Sequence, residues 1–182
     1  TVAPFFKIDS FSDLKIALNK LNGSGIIKTR KLGYDGKGQY LIENFNITKF
    51  KKNIEINKYI IEGIIKFKKE ISVIAFKGRS GDVKCYEPSE NHHESGILRE
   101  TNFPARISLK VKRKAKDVAK TLANSLNIVG IIAIEMFIDD KDNIIVNEIA
   151  PRPHNSGHWT MDACNISQFE ILVRTIFDIP LH

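Results

Sequence analysis

Apolar positions along this chain fall into two rhythms. "DSFSDLKIALNKL" (9–21) opens with residue types that cap a helix and then returns Leu14, Ala17, Leu18 and Leu21 to one side, which predicts a helix. "SLKVKRKAKDVAKTLANSL" (108–126) predicts the longest helix, with Val111, Ala115, Val118, Ala119, Leu122 and Leu126 in one stripe and lysines opposite. "ISQFEILVRTIFDI" (166–179) predicts a third amphipathic helix near the end. β-Branched runs between turn residues predict strands. "GIIKTR" (25–30) and "GQYLIE" (38–43) read as a hairpin with Gly33–Lys37 at its tip. "NKYIIEGIIKFKKEISVIAFKG" (57–78) reads as strand, irregular link and strand, with "RSGD" turning into "VKCYEP". "GIIAIEMFIDDKDNIIVNEIAPRP" (130–153) reads as strand, turn, strand. The mixture is of the α+β class, in two lobes that change over near Tyr59 to Ile65, with no repeat or low-complexity linker.

Composition narrows the partners. At 182 residues and 42% hydrophobic content the chain can fill the core of one substantial domain or two small lobes. Its net charge of +7 comes largely from "KFKK" (49–52 and 66–69) and "KVKRKAK" (110–116). Such runs suit a polyanion but are more often solvated faces, and no aromatic residues alternate with them as a single-strand stacking platform requires; no nucleic-acid partner is expected. Cys85 and Cys164 form no CxxC pair, so neither a zinc site nor a disulfide framework is indicated and a reducing cytoplasm fits best. No apolar run reaches membrane-spanning length, and no secretory segment follows Thr1.

The hairpin at 130–149 carries the first candidate chemistry. A symmetric loop centred on Lys141 and Asp142 pairs Asp140 with Asn143, or Asp139 with Ile144, and counting back sets Glu135 opposite Glu148. Opposed residues share a sheet face with Cβ atoms about 4.5–5.5 Å apart, so two glutamates there repel among apolar neighbours. A hard divalent cation such as Mg²⁺, held by one or two carboxylates plus substrate phosphates, removes that cost. The alternatives are one glutamate raised in pKa by the other, or an odd loop or bulge that turns the two to opposite faces.

"APRPHNSGHWT" (150–160) follows directly and gathers Arg152, His154, Asn155, Ser156 and His158 in a loop stiffened by prolines, with Gly157 permitting close backbone approach. The Arg152 fork suits a planar anion. Pro153 argues against a helix that would pair His154 with His158 as zinc ligands, and Trp159 reads as a packing anchor.

"GYDGKGQ" (33–39), "NHHESGIL" (91–98) and above all "NEIAPRPHNSGHWTMDACNISQFE" (147–170) resemble the N5-carboxyaminoimidazole ribonucleotide synthase family of ATP-grasp enzymes in purine biosynthesis. The resemblance runs from "TVAPF" to "FDIPL" and implies the ATP-grasp fold, two lobes of antiparallel sheet packed with helices. These are expected as a small lobe over 1–61 with the glycine-rich loop and a large lobe over 62–182 with the metal and substrate-loop residues. Complete family members carry further N- and C-terminal domains, expected to be absent here.

By the resemblance, Lys28 reaches the nucleotide phosphates, and Tyr34, Asp35, Gly36, Lys37 and Gln39 belong to a loop that closes over them. That loop is neither GxxxxGK[ST] nor GxGxxG, so it is neither a P-loop nor a dinucleotide fingerprint. Glu62, Gly63, Ile64 and Ile65 match the link whose main chain holds adenine, Gly63 standing where relatives often have an acid. Glu70 matches the acceptor of ribose hydroxyls, and His93 a histidine near the nucleotide. Glu135 and Glu148 match the Mg²⁺ ligands. The asparagine that many ATP-grasp enzymes carry two residues later is Ala150 here, with Asn155 as a candidate replacement. Arg152, His154, Asn155, Ser156 and His158 match the loop that handles bicarbonate and the activated intermediate, Arg152, His154 and Lys37 being the catalytic candidates.

The implied reaction is an ATP-dependent ligation. ATP and bicarbonate give carboxyphosphate, whose carboxylate passes to the amine of 5-aminoimidazole ribonucleotide, with a homodimer expected for the full-length protein. Two other readings stay open: a nucleotide-binding module inactive without flanking domains, and another ATP-grasp carboxylate–amine ligase.

Overall fold

The computed structural model describes residues 1–31, 33, 38–47, 55–79, 81, 83–94 and 96–181. The chain divides into two compact units, Val2–Lys66 with Ser95–Ile97, and Thr1, Phe67–Glu94 and Leu98–His182. The division falls after Lys66, five residues beyond the expected 61/62 boundary. Gly63 N–H donates to the carbonyl of Pro4 at 2.8 Å, so the chain after Glu62 stays with the first unit.

In the first unit, strands β1 (Phe5–Ile8), β2 (Gly25–Thr29), β3 (Gln39–Ile42) and β4 (Tyr59–Glu62) form an antiparallel sheet in the order β1-β4-β2-β3. Helix α1 (Phe11–Lys20) begins where the Ser10 hydroxyl accepts the Asp13 N–H at 3.1 Å. Its Leu14, Ala17 and Leu18 are buried with Ile8, Ile27, Ile42 and Ile61. Sequence pattern found α1 and the β2–β3 hairpin, but not β1, whose "FFKI" alternates too briefly to be distinctive.

The second unit is built on β5 (Lys69–Lys77), β6 (Lys84–Cys85), β7 (Ser89–Glu94), β8 (Ile97–Asn102), β9 (Gly130–Ile138) and β10 (Ile144–Ala150), in the order β10-β9-β5-β7-β8 with β6 beside β5. Helix α2 (Leu109–Ser125), capped by the Ser108 hydroxyl, covers one face. Its Val111, Ala115, Ala119 and Ala123 pack on Ile71, Val73, Ala75, Ile132, Ile134, Met136 and Ile138. On the other face, helix α3 (Gln168–Ile176) sets Ile171 against Ile74, Phe76, Ile131, Ala133 and Ala150. Further along the same strands this second face turns polar: Ser72 and Glu70 follow Ile74 on β5, and Glu135 follows Ala133 on β9. One sheet face is therefore all core, while the other is half core and half polar.

The β9–β10 hairpin corrects the expected loop. Ile138 pairs with Ile144, leaving the five residues Asp139–Asn143 between them, an odd number. The Asp139 carboxylate accepts the N–H groups of Lys141 and Asn143 at 2.9 and 2.8 Å, and Asp142 takes the left-handed conformation at φ 62°. That register alone would send residue 148 to the α2 face. A bulge between Val146 and Glu148 shifts it by one, so Glu148 pairs with Glu135 after all. The loop and the bulge, each anticipated as a way to separate the two acids, cancel one another.

Candidate active site

Glu135 and Glu148 share the polar half of the second unit's sheet, side by side on β9 and β10. Glu135 is largely buried, and among the described residues its Oε1 has no hydrogen-bond partner. Ring nitrogens of His93 and His154 stand 4.0 and 3.9 Å from it, beyond hydrogen-bond range. Burial pushes the Glu135 carboxyl up to about 7; His93 opposes this, and the charges of Glu148 and Glu70 add to it. Two carboxylates, one with an orphaned oxygen, are a donor set suited to a hard divalent cation. Among the described residues no group of three or more His, Cys, Asp or Glu could hold a metal.

Glu70 lies on β5 beside β9, and its Oε2 is 2.5 Å from Nδ1 of His93 on β7. That hydrogen bond raises the His93 pKa against the effect of burial, and the Glu135 and Glu148 charges add to the rise. Beneath the pair runs a buried polar chain: the Asn91 carboxamide donates to the Ser72 hydroxyl and accepts from Thr101 at 3.5 Å. Ser72 and Asn91 are nearly inaccessible, and neither was a sequence candidate. A lone serine within the apolar run "EISVIAF" is the signal that could have found Ser72. Phe67 stacks on Phe137 with centroids 4.5 Å apart, adding an apolar surface on the strand that carries Glu135.

The loop after β10 is held from below. Gln168 is fully buried; its Oε1 accepts the His154 N–H at 2.9 Å and its Nε2 donates to the His154 carbonyl at 2.8 Å. Thr160 donates to the Gly157 carbonyl at 2.7 Å and accepts the Gln168 N–H. A Cβ at Gly157 would lie 2.5 Å from Gln168 Oε1, so this clamp requires glycine there. His154 Nδ1 and the buried Ser156 hydroxyl are 2.9 Å apart. Arg152 is exposed, with Nη1 on the Pro153 carbonyl. Asn155–Gly157 form a 3-10 turn, so His154 and His158 do not form an i, i+4 helical pair; His158 stacks against Phe169. Asn155 and His158 line a cavity of about 330 Å³ with Leu98, Arg99, Glu100 and Thr101. Trp159 is a packing anchor, stacked on Phe103 and edge-on to Tyr86.

In the first unit, Lys28 on β2 and Glu62 on β4 are paired at 2.7 Å, both half-buried. Gln39 pairs with Lys28 across β2 and β3. The Gly63 N–H is already taken by Pro4, and a Cβ at Gly63 would come within 2.9 Å of the Pro4 ring, which accounts for glycine in place of an acid. Ile64 and Ile65 continue the link beyond it. Tyr34, Asp35, Gly36 and Lys37 lie outside the described residues.

Residues 1–169 match the ATP-grasp domain. The chain belongs to the ATP-grasp family. This ATP-grasp chain is 40% identical over 181 residues to N5-carboxyaminoimidazole ribonucleotide synthase of Bacillus subtilis, a match covering 99% of this chain and 48% of that protein. It superposes with a TM-score of 0.92 on the ADP complex of an N5-carboxyaminoimidazole ribonucleotide synthetase, at 40% identity, covering 99% of this chain and 48% of the other. A synthase from Aspergillus clavatus, in complex with ADP and 5-aminoimidazole ribonucleotide, matches at 26% identity and TM-score 0.87, over 100% of this chain and 48% of the other. The chain spans about half the length of these relatives.

Proposed function

We propose that this chain is the ATP-grasp region of a ligase that carboxylates 5-aminoimidazole ribonucleotide at the expense of ATP. The observation that carries the reading is likeness along the whole chain, at 40% identity, to relatives bearing that enzyme's name. The opposed Glu135 and Glu148, with one orphaned oxygen, support it from the site itself.

In this reading a bicarbonate oxygen attacks the γ-phosphorus of ATP, the bond to the β-phosphate oxygen breaks, and ADP leaves with carboxyphosphate formed. The exocyclic amine of the ribonucleotide then takes the carboxyl carbon, phosphate leaves, and the amine gives up a proton. Such chemistry asks mainly for alignment and for positive charge around the moving group. Mg²⁺ would be held by Glu135 and Glu148 and would neutralise charge on the phosphates. Lys28 and Lys37 would meet the phosphate oxygens, and Glu70 would accept from the ribose. The link through Glu62, Gly63, Ile64 and Ile65 would bound the adenine, the Gly63 N–H excepted because Pro4 holds it. Arg152 would grip the planar anion of bicarbonate, with His154, Ser156 and His158 around it. Gln168 and Thr160 would fix that loop's backbone so the side chains need little reorganisation. Among the described residues no helix is long and apolar enough to cross a membrane, in keeping with a cytoplasmic enzyme.

Phosphate release from ATP, measured with and without 5-aminoimidazole ribonucleotide and bicarbonate, tests the assignment. Release that needs both supports it, and release driven equally by another amine acceptor points to a different ATP-grasp ligase. Because the chain is about half as long as its relatives, a second reading is a nucleotide-binding module that turns over only with further domains. ADP binding without turnover by this chain, restored in a longer version, would support that.

A further inference from the structure

The surroundings of His154 decide which of its ring nitrogens carries the proton of the neutral ring. Gln168 grips its main chain from both sides, and the Gly157 N–H donates to the same carbonyl at 2.9 Å, so the residue is fixed in place. Its ring folds back over its own turn, where the Ser156 main-chain N–H donates to Nδ1 at 3.3 Å. A peptide N–H can only donate, so Nδ1 receives it through a lone pair. The Ser156 hydroxyl lies 2.9 Å from the same nitrogen and, facing that lone pair, donates to it as well. Ser156 is 0% exposed, and Nδ1 is the only partner of its hydroxyl among the described residues, so the hydroxyl does not reach a ligand itself. Glu135 Oε1 pulls the other way, since a carboxylate at 3.9 Å favours a proton on Nδ1. It stands beyond hydrogen-bond range, however, while the Ser156 hydroxyl stands well inside it.

We propose that Ser156 sets His154 as the tautomer protonated at Nε2, so that the ring meets the site as a hydrogen-bond donor. The place of the proton on an imidazole is fixed by the bond its other nitrogen makes, and here two donors converge on Nδ1. An Nε2–H fits an oxygen of a carboxylate or phosphate and offers no lone pair to the proton of an amine. Ser156 acts through His154 and is therefore a positioning residue. The inference deepens the anion-binding role proposed for this loop, and rests on that reading only for what the donor meets.

The test is a long-range proton–nitrogen correlation spectrum of the chain isotope-labelled at its histidine nitrogens, recorded at about pH 8, above the ordinary histidine range. The signals of His154 are identified by their loss in His154→Gln. The expected wild-type pattern is a pyrrole-type Nε2 and a pyridine-type Nδ1. In Ser156→Ala, with a melting curve to confirm folding, the ratio of the Nε2–H to the Nδ1–H tautomer should fall about 3- to 10-fold, because one donor to Nδ1 is lost. Should the alanine variant misfold, Ser156→Cys, whose thiol is a weaker donor, takes its place with a fall in the same direction. A pyridine-type Nε2, or two pyrrole-type nitrogens, in the wild type overturns the proposal. An unchanged ratio in a folded Ser156 variant refutes the role of the hydroxyl. The spectrum requires no turnover, so the tautomer and the ligase reading fail separately.

Discussion

His93 and Glu70 are joined across neighbouring strands, with Nδ1 2.5 Å from Oε2, while the other ring nitrogen stands 4.0 Å from Glu135. The imidazole is thus a spacer that fixes one carboxylate and faces a second. Replacing it by alanine frees Glu70 to turn away. If Glu70 accepts from the ribose, His93→Ala should weaken ADP binding about 5- to 10-fold in calorimetry with little change in far-UV circular dichroism. Unchanged affinity would count against that role for Glu70.

Glu135 makes the metal-free protein sensitive to pH in an unusual direction. Its carboxyl is raised from 4.5 to about 7 by burial, so the folded state binds a proton more tightly than the unfolded state does. Stability from this group is fully present below pH 4.5 and is lost as pH rises through about 7. His93, also raised, acts with the same sign, its contribution fading as pH climbs past the ordinary histidine value. With chelator present, Glu135→Gln should therefore raise the melting temperature at pH 8 by roughly 2–6 °C and leave it nearly unchanged at pH 4.5. An equal shift at both pH values would contradict the account.

Asn91 holds the buried chain under the site. Asn91→Ala strands the Ser72 hydroxyl, which is 1% exposed, and should cost about 1–3 kcal/mol by chemical denaturation. Adding Ser72→Ala should then cost little more, because the pair is lost once, and a double-mutant cycle reads this directly.

Acid should attack elsewhere. Glu87, just after β6, pairs with Lys112 and Lys116 of α2 at 2.5 and 2.7 Å, and these ammonium groups hold its carboxyl below 4.5 against a smaller effect of burial. That stability is present above pH 4.5 and is lost as pH falls through the lower folded value. Its carboxylate is more than a third exposed, so Glu87→Gln should cost at most about 1 kcal/mol at pH 7. The difference from wild type should vanish in melts near pH 3.

Periodicity made the helices and long hairpins legible because burial of one face writes directly into residue spacing. Leu14, Ala17 and Leu18 on α1, and Val111, Ala115 and Ala119 on α2, are buried as the stripes require. Strands β7 and β8 were not read, since "SENHHE" and "ILRETN" are mostly polar and take their place from neighbouring strands rather than from their own apolar pattern. The opposition of Glu135 and Glu148 was reached from a symmetric turn, whereas the protein arrives there through an odd loop and a bulge. No spacing rule distinguishes those routes, because their effects on alternation are equal and opposite. Gln168 lay hidden for another reason: its partners are main-chain groups fourteen residues earlier, and its own neighbours spell an ordinary amphipathic helix.

That cancellation makes the hairpin behave like a reading frame with a suppressor. A hairpin lacking Asn147 would run in unbroken register from Ile144–Ile138 and still set Glu148 opposite Glu135, whereas keeping Asn147 and flattening the bulge would put Asn147 opposite Glu135 and send Glu148 to the α2 face. The acid's address therefore depends on Ile144 staying on Ile138 and on the extra residue before Glu148 staying unpaired, and not on how many residues the tip holds.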